Sequence, residues 1–265
     1  MWLVQGMESL LATPHHSGLF LDFDGTLSEI VPVPEDARPL PGVPELLARL
    51  ATHLGVVAIV SGRAAAQLVE WLGPEVEIWG VHGTQIVRDG KILLAETAKQ
   101  FAELIERVKK EALARFEHDK PAGAVFEDKG VMFSFHFRAA EDPAAAEGVL
   151  DKLSAQVAAH HGLWRTRTTY SFELRPPHDF SKAAVLLERT REAGLSAAVF
   201  VGDDRVDLPA FDALDQLAEE GVSTTRVAVR WAEAPTELLE RADVVVDGPE
   251  GALVLLEGLV SAMEK

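Results

Sequence analysis

The chain has 265 residues, 48% of them apolar, with a formal net charge of −17 and no cysteine. That length suits two unequal domains, and the composition excludes disulfides and thiolate metal sites. So acidic a chain is a poor polyanion binder, which argues against nucleic acid and anionic membrane as partners. No apolar run is long enough to span a bilayer and no basic leader precedes one, so a cytoplasmic setting is expected.

In chain order, Gly18–Phe23 is a short apolar run ending at Asp-Gly and predicts a buried strand. A proline-rich loop covers Val31–Pro44, and leucines at helical spacing predict a helix over Glu45–His53. Val56–Val60 predicts a second buried strand that stops at Ser61-Gly62-Arg63, where a helix begins. Ile78–Val81 predicts a third strand, and Thr84–Leu94 a hairpin turning at Asp89-Gly90.

The pattern then changes. An amphipathic helix is predicted over Lys99–Phe116, then strands over Ala124–Glu127 and Val131–Phe137 joined at Asp128-Lys129-Gly130. On the second of these strands Met132, Ser134, His136 and Arg138 share one side, and Val131, Phe133, Phe135 and Phe137 the other. Such alternation suits a sheet with one face packed and one wet. A helix over Pro143–His161 and strands near Leu163–Arg167 and Tyr170–Arg175 repeat the helix-strand-strand order, so residues 98–177 read as an inserted α+β domain.

From Phe180 the chain alternates again: helices over Lys182–Ala193 and Asp207–Glu220, strands over Ala197–Val201, Arg226–Val229 and Val244–Val246, and a C-terminal helix. Short apolar strands alternating with helices predict an α/β domain with a parallel sheet covered on both faces, formed by residues 1–97 and 178–265.

Ligands of an open parallel sheet bind at the carboxyl ends of its strands. Four stretches fall at such ends or on the turns that follow: Asp22-Phe23-Asp24-Gly25-Thr26-Leu27, Ser61-Gly62-Arg63, Ser181-Lys182, and Gly202-Asp203-Asp204-Arg205-Val206-Asp207. Carboxylates converging on one point repel each other, so a hard cation is expected among them, and oxygen ligands with open positions suit Mg²⁺. The hydroxyl of Ser61 and the ammonium of Lys182 would complete a site for a phosphoryl group. Singly, each has a plainer reading: Asp-Gly as a turn, Ser61 as a helix cap, Lys182 as a solvated helix residue, Asp203 and Asp204 as helix N-terminal charges. Their joint order along the chain is what points to a site.

That ordered set resembles the motifs of the haloacid-dehalogenase-like (HAD) phosphatase superfamily: DxDGT, a Ser or Thr after the second strand, a Lys, and GDDxxxD. The resemblance implies a Rossmann-like core in which Asp22 attacks phosphorus and forms an aspartyl phosphate. Asp24 would protonate the leaving oxygen and then take a proton from water. It implies Mg²⁺ held by Asp22, the Asp24 backbone carbonyl and Asp203, with Asp204 and Asp207 supporting the metal or orienting its waters and Lys182. Ser61 would bond a phosphoryl oxygen and Lys182 would neutralise charge on the transferring group.

The insertion resembles the larger, C2-type cap of that superfamily, with two αββ units. Phe126-Glu127-Asp128-Lys129-Gly130, His136-Phe137-Arg138, Phe172-Glu173-Leu174-Arg175-Pro176 and Gly80-Val81-His82-Gly83 resemble the EDKG, HxR, ExRP-type and GxHG motifs of trehalose-6-phosphate phosphatases. The resemblance implies hydrolysis of trehalose 6-phosphate, with a trehalose-6-phosphate synthase as an expected partner. Glu127, Lys129, His136, Arg138 and Glu173 would bind the sugar; Gly25, Thr26, Gly62, Arg63 and His82 of the core would also bind substrate, Arg63 and His82 at the sugar or its phosphate, and cap closure would expel water. Two stretches depart from the family pattern: Ser181-Lys182-Ala183 stands where Asn-Lys-Gly is frequent, and Val206 and Leu208 stand where Thr and Glu are frequent. Three other readings stay open: a different sugar phosphate (sucrose phosphate, or mannosyl- or glucosyl-3-phosphoglycerate), phosphoryl transfer between sugars, and a non-catalytic sugar-phosphate-binding module.

Overall fold

The computed structural model describes residues 7–31, 36–88, 90–168 and 170–265. Asp89 of the expected hairpin turn and residues 32–35 of the proline-rich loop lie outside the described residues. The chain divides into two compact units, one of Met1–Leu93 with Phe180–Lys265, the other of Leu94–Asp179.

The first unit begins with α1 (Glu8–Ala12), β1 (Ser17–Leu21), α2 (Val43–Ala51), β2 (Val56–Val60), α3 (Ala65–Leu72), β3 (Glu77–Gly80), β4 (Gln85–Arg88) and β5 (Lys91–Leu94). The second unit contains α4 (Glu96–Asp119), β6 (Val125–Asp128), β7 (Phe133–His136), α5 (Pro143–His161), β8 (Trp164–Arg167) and β9 (Ser171–Arg175). The chain then returns to the first unit through α6 (Lys182–Glu192), β10 (Ala197–Gly202), α7 (Leu208–Glu219), β11 (Ser223–Arg230), α8 (Thr236–Arg241), β12 (Val244–Asp247) and α9 (Gly248–Met263).

The sheet of the first unit runs β12-β11-β10-β1-β2-β3-β4-β5. From β12 to β3 every pairing is parallel, and β4 turns back antiparallel on β3. Every residue of β1 and β2 is buried. Such runs show no polar alternation because a central parallel strand has helices over both faces. Leu19 and Leu21 enter the core layer that includes residues of α2, α3 and α9, whereas Phe20 enters the opposite layer with residues of α6 and α7. The chain leaves β1 toward β2 on one side and later returns to β10 on the other, so the order reverses beside β1. That reversal is where an open α/β sheet leaves a crevice for a ligand.

The second unit carries an antiparallel sheet in the order β6-β7-β9-β8. Phe133, Phe135, Phe172 and Leu174 pack with residues of α4 and α5 in its core. Glu127, Ser134 and Glu173 stand opposite one another in register on the other face. The expected wet face of β7 is wet only in part: Met132 and Ser134 are fully buried. Elements unread in the sequence are α1 and α8, of 5 and 6 residues, too short to show a helical period. The strand expected to reach Phe23 ends at Leu21, which leaves Asp22 on the loop beyond it.

Candidate active site

The parallel register that sets Leu21 against Val201 brings Asp22 and Asp203 off neighbouring strand ends. The Asp22 amide donates to the Val201 carbonyl at 2.9 Å, which ties the first loop to β10. Gly25 has φ of 74°, and a Cβ there would lie 2.0 Å from Asp203 Oδ2. Only glycine lets the two loops approach so closely. Ser181 Oγ accepts from the Ala184 amide at 3.2 Å and caps α6. Lys182 therefore stands at the first helical position, with Nζ 2.7 Å from Asp22 Oδ1 and 2.6 Å from Asp207 Oδ1. The other oxygen of Asp207 accepts from the Asp203 and Asp204 amides at 2.9 and 3.1 Å. Asp207 thus orients Lys182 and shapes the loop that presents Asp203.

The cluster holds more negative charge than Lys182 balances. Burial pushes the Asp22 carboxyl up to about 7, Lys182 opposing and Asp207 adding to the rise. Burial pushes Asp203 up to about 8, with Asp22 and Asp207 adding. Burial disfavours the Lys182 charge, yet Asp207 and Asp22 outweigh it and hold the ammonium above the ordinary lysine range. Asp203 Oδ1 is buried and has no hydrogen-bond partner. Carboxylate oxygens of Asp22, Asp203 and Asp207 all lie within 4.8 Å of one another. An orphaned buried acceptor among oxygen donors fits a hard divalent cation, which would satisfy the acceptor and offset the repulsion. Since Asp207 is already engaged on both oxygens, Asp22 and Asp203 are the carboxylates best able to take one.

Asp22, Asp203 and Lys182 line a cavity of about 310 Å³, together with Asp24, Asp204, Ser61, Gly62 and His82. The Ser61 loop is set by the neighbouring turn: the Ser61 amide donates to the Trp79 carbonyl at 3.0 Å, Val81 to Arg63 at 2.9 Å, and His82 to Ser61 at 3.1 Å. Val81 and His82 take left-handed φ values of 48° and 56° to make these bonds. Conformations of that kind cost about 1–3 kcal/mol each and persist where surrounding contacts over-determine them.

Three residues expected to touch substrate do not line this cavity: Gly25, Thr26 and Arg63. Gly25 packs against Asp203, and Thr26 is fully buried. Arg63 donates from Nε to Asp24 Oδ2 at 2.8 Å and from Nη2 to Asp24 Oδ1 at 2.7 Å. Conversely, Ile30, Val206 and Trp231 line the cavity and were not expected there. Trp231 directly follows β11. The strand-end rule applied to that strand, as to β1 and β10, was the available signal.

In the second unit, four of the expected residues form one polar cluster. His136 Nε2 meets Glu127 Oε2 at 2.7 Å, and Lys129 Nζ lies 3.1 Å from Glu173 Oε2 and 3.5 Å from Glu127 Oε2. The His136 bond, aided by Lys129, holds the Glu127 carboxyl below the usual range against its partial burial. Arg138 stands apart from these contacts, its guanidinium carbon 5.0 Å from the centroid of the Tyr170 ring.

The fold is that of a protein described as a haloacid dehalogenase-like hydrolase from Bacteroides thetaiotaomicron, which matches 94% of this chain and 98% of its own with TM-score 0.59 at 15% identity. A trehalose-6-phosphate phosphatase related protein shares the fold with TM-score 0.73 over 94% of this chain and 100% of its own, at 20% identity. The chain belongs to the trehalose-phosphatase family, whose model matches residues 20–244. It is 32% identical over 233 residues to the trehalose-phosphate phosphatase of Mycobacterium leprae, a match covering 83% of this chain and 52% of that relative. The chain spans about half to two-thirds of the curated relatives it first matches, between 52% and 63% of their length. Among the described residues no helix is long and apolar enough to cross a membrane.

Proposed function

We propose that this chain hydrolyses trehalose 6-phosphate to trehalose and phosphate, with Asp22 as nucleophile and Mg²⁺ as cofactor. The observation that carries the reading is the buried Asp22, Lys182 and Asp207 array with the unpartnered Asp203 oxygen beside it. The family match over residues 20–244 supports the substrate.

An Asp22 oxygen attacks phosphorus, the bond from phosphorus to the sugar oxygen breaks, and an aspartyl phosphate forms. Lys182, held between Asp22 and Asp207, stays cationic and neutralises the phosphoryl oxygens. Ser61 donates its hydroxyl to one of them. Asp24 gives a proton to the departing sugar oxygen, then takes one from the water that opens the acyl phosphate. Asp22, Asp203 and the Asp24 backbone carbonyl would hold Mg²⁺, with Asp204 at the cavity wall in support. When bound, the ion offsets negative charge on the nucleophile and the phosphoryl group. In the second unit, Glu127 and Glu173 each accept sugar hydroxyls and Lys129 donates to others, so a wrong sugar forfeits those hydrogen bonds.

The reading is tested by phosphate release from trehalose 6-phosphate with Mg²⁺, with EDTA, and with Asp22→Asn. Release that EDTA stops and the substitution abolishes is the expected result. Release only from sucrose phosphate or a glycosyl phosphoglycerate would overturn the sugar assignment and leave the chemistry standing. A folded protein inert toward every phosphomonoester would sink the enzyme reading. Lys129→Ala should lower the ratio of kcat/KM for trehalose 6-phosphate over p-nitrophenyl phosphate by ~10- to 100-fold, the worth of one charged hydrogen bond.

A further inference from the structure

We propose that Arg63 and Trp71 form a positioning unit that holds the Asp24 carboxyl at the leaving oxygen; the inference rests on the phosphatase reading above. Asp24 lines the catalytic cavity and Arg63 does not. Both Asp24 oxygens accept from it, at 2.7 and 2.8 Å. The Arg63 side chain is only 11% exposed and that of Asp24 is 42% exposed. The arginine is therefore the embedded partner and the aspartate the one open to solvent.

The fork is itself braced. Its guanidinium carbon lies 5.2 Å from the Trp71 ring centroid and 5.6 Å from that of Phe23. Nη1 donates to Gln67 Oε1 at 3.3 Å. Phe23 and Trp71 stack at 5.3 Å with planes inclined by 26°, and Trp71 packs on the core layer beneath α2, α3 and α9. Gln67 and Trp71 stand four apart on α3 and share one face, and Arg63, two residues before the helix, reaches both. Phe23 lies between the two catalytic aspartates in sequence, which links the bed to the loop it steadies.

The arrangement gives Arg63 a task other than touching substrate. A bidentate guanidinium fixes the plane and direction of a carboxylate, as a lysine cannot. General acid–base catalysis needs its group within hydrogen-bond reach, and a misplacement of ~1 Å costs about 10²-fold. In the first step the Asp22 oxygen bonds to phosphorus, the bond from phosphorus to the sugar oxygen breaks, and the Asp24 proton passes to that oxygen. Asp24 is left a carboxylate, the form the two-armed fork binds. To carry a proton Asp24 gives up one arm of the fork, and the other arm remains as a pivot.

The test is the leaving-group dependence of kcat/KM, which reports on steps through aspartyl-phosphate formation. Trehalose 6-phosphate and a simple alkyl phosphate expel alkoxides that need the proton; p-nitrophenyl phosphate expels an anion that does not. Arg63→Ala should lose ~10²-fold on the alkyl esters and less than about tenfold on the aryl ester, and added guanidinium should narrow the gap. Trp71→Leu should tilt the series the same way by less, and so should Arg63→Lys, which keeps the charge and reads the effect even if the alanine variant fails to fold. Equal losses on alkyl and aryl esters in the folded variants, without guanidinium rescue, overturn the proposal. A wild type inert toward every ester overturns the phosphatase reading and this inference with it, whereas an active wild type with untilted variants overturns the inference alone.

Discussion

Asp203 is a carboxylate that the folded chain keeps dry, crowded and short of one hydrogen bond. That predicament has a thermodynamic sign. Below about pH 4 an aspartate is protonated in folded and unfolded chains alike, and above that only the folded chain keeps the proton, until about pH 8 for Asp203 and about 7 for Asp22. The unfolded chain binds fewer protons across that window, so these two groups make the metal-free protein less stable as pH rises from 4 to 8. Asp203→Asn should melt a few degrees above wild type in EDTA at pH 8, about 2–4 °C for each kcal/mol relieved, with the gap closing toward pH 4. Mg²⁺ should raise the wild-type melting temperature more at pH 8 than at pH 6, because the ion must displace these protons, and the variant should lose that response. An equal Mg²⁺ response in both proteins would count against Asp203 as a ligand. The carboxylate itself was legible as an aspartate at a strand end. Its orphaned oxygen was not, since that depends on which donors the fold brings near it. Arg63 teaches the same lesson: the resemblance suggested a contact to the sugar or its phosphate, and a partner 39 residues away engages both arms of its fork.

Among the elements, helix starts and strand ends do most of the positioning. The start of α6 fixes where Lys182 begins, and the Ser181 cap fixes the start of α6. Ser181→Ala should cost about 1 kcal/mol in urea unfolding, while Ser181→Asn should retain the cap. If Lys182 depends on that cap, the alanine variant also loses activity beyond its stability cost and the asparagine variant does not. Retained activity in a destabilised alanine variant would show that the Asp22 and Asp207 pairs alone hold the lysine. The strands of the parallel sheet were legible because their apolar runs are short, continuous and bounded by turn residues. The helices α1 and α8 were not, since one or two turns carry no period. The left-handed Val81 and His82 were equally silent: a β-branched residue disfavours that conformation, and only hydrogen bonds to the Ser61 loop impose it.

At the scale of the whole molecule, the chain runs out of one sheet into another and back, and each unit buries its own core. The second unit balances its ionic groups by pairing: buried Lys109 of α4 lies 2.8 Å from Asp128 at the end of β6. Lys109→Ala should therefore destabilise the protein by about 3 kcal/mol or less, read as a lowered urea midpoint, since Asp128 is exposed enough to rehydrate. Hydropathy period and turn chemistry are local quantities, so the sequence by itself determined the class of the sheet, the change of architecture near the middle of the chain, and the placing of acidic motifs at strand ends. Convergence is not local. Only the tertiary structure decided that two amides hold the second oxygen of Asp207, that Arg63 bonds Asp24, and that Ile30, Val206 and Trp231 reach the cavity. The reason is physical: which oxygen is orphaned and which is paired is settled by distances of a few ångströms between strands and loops far apart in sequence, and no local pattern encodes them.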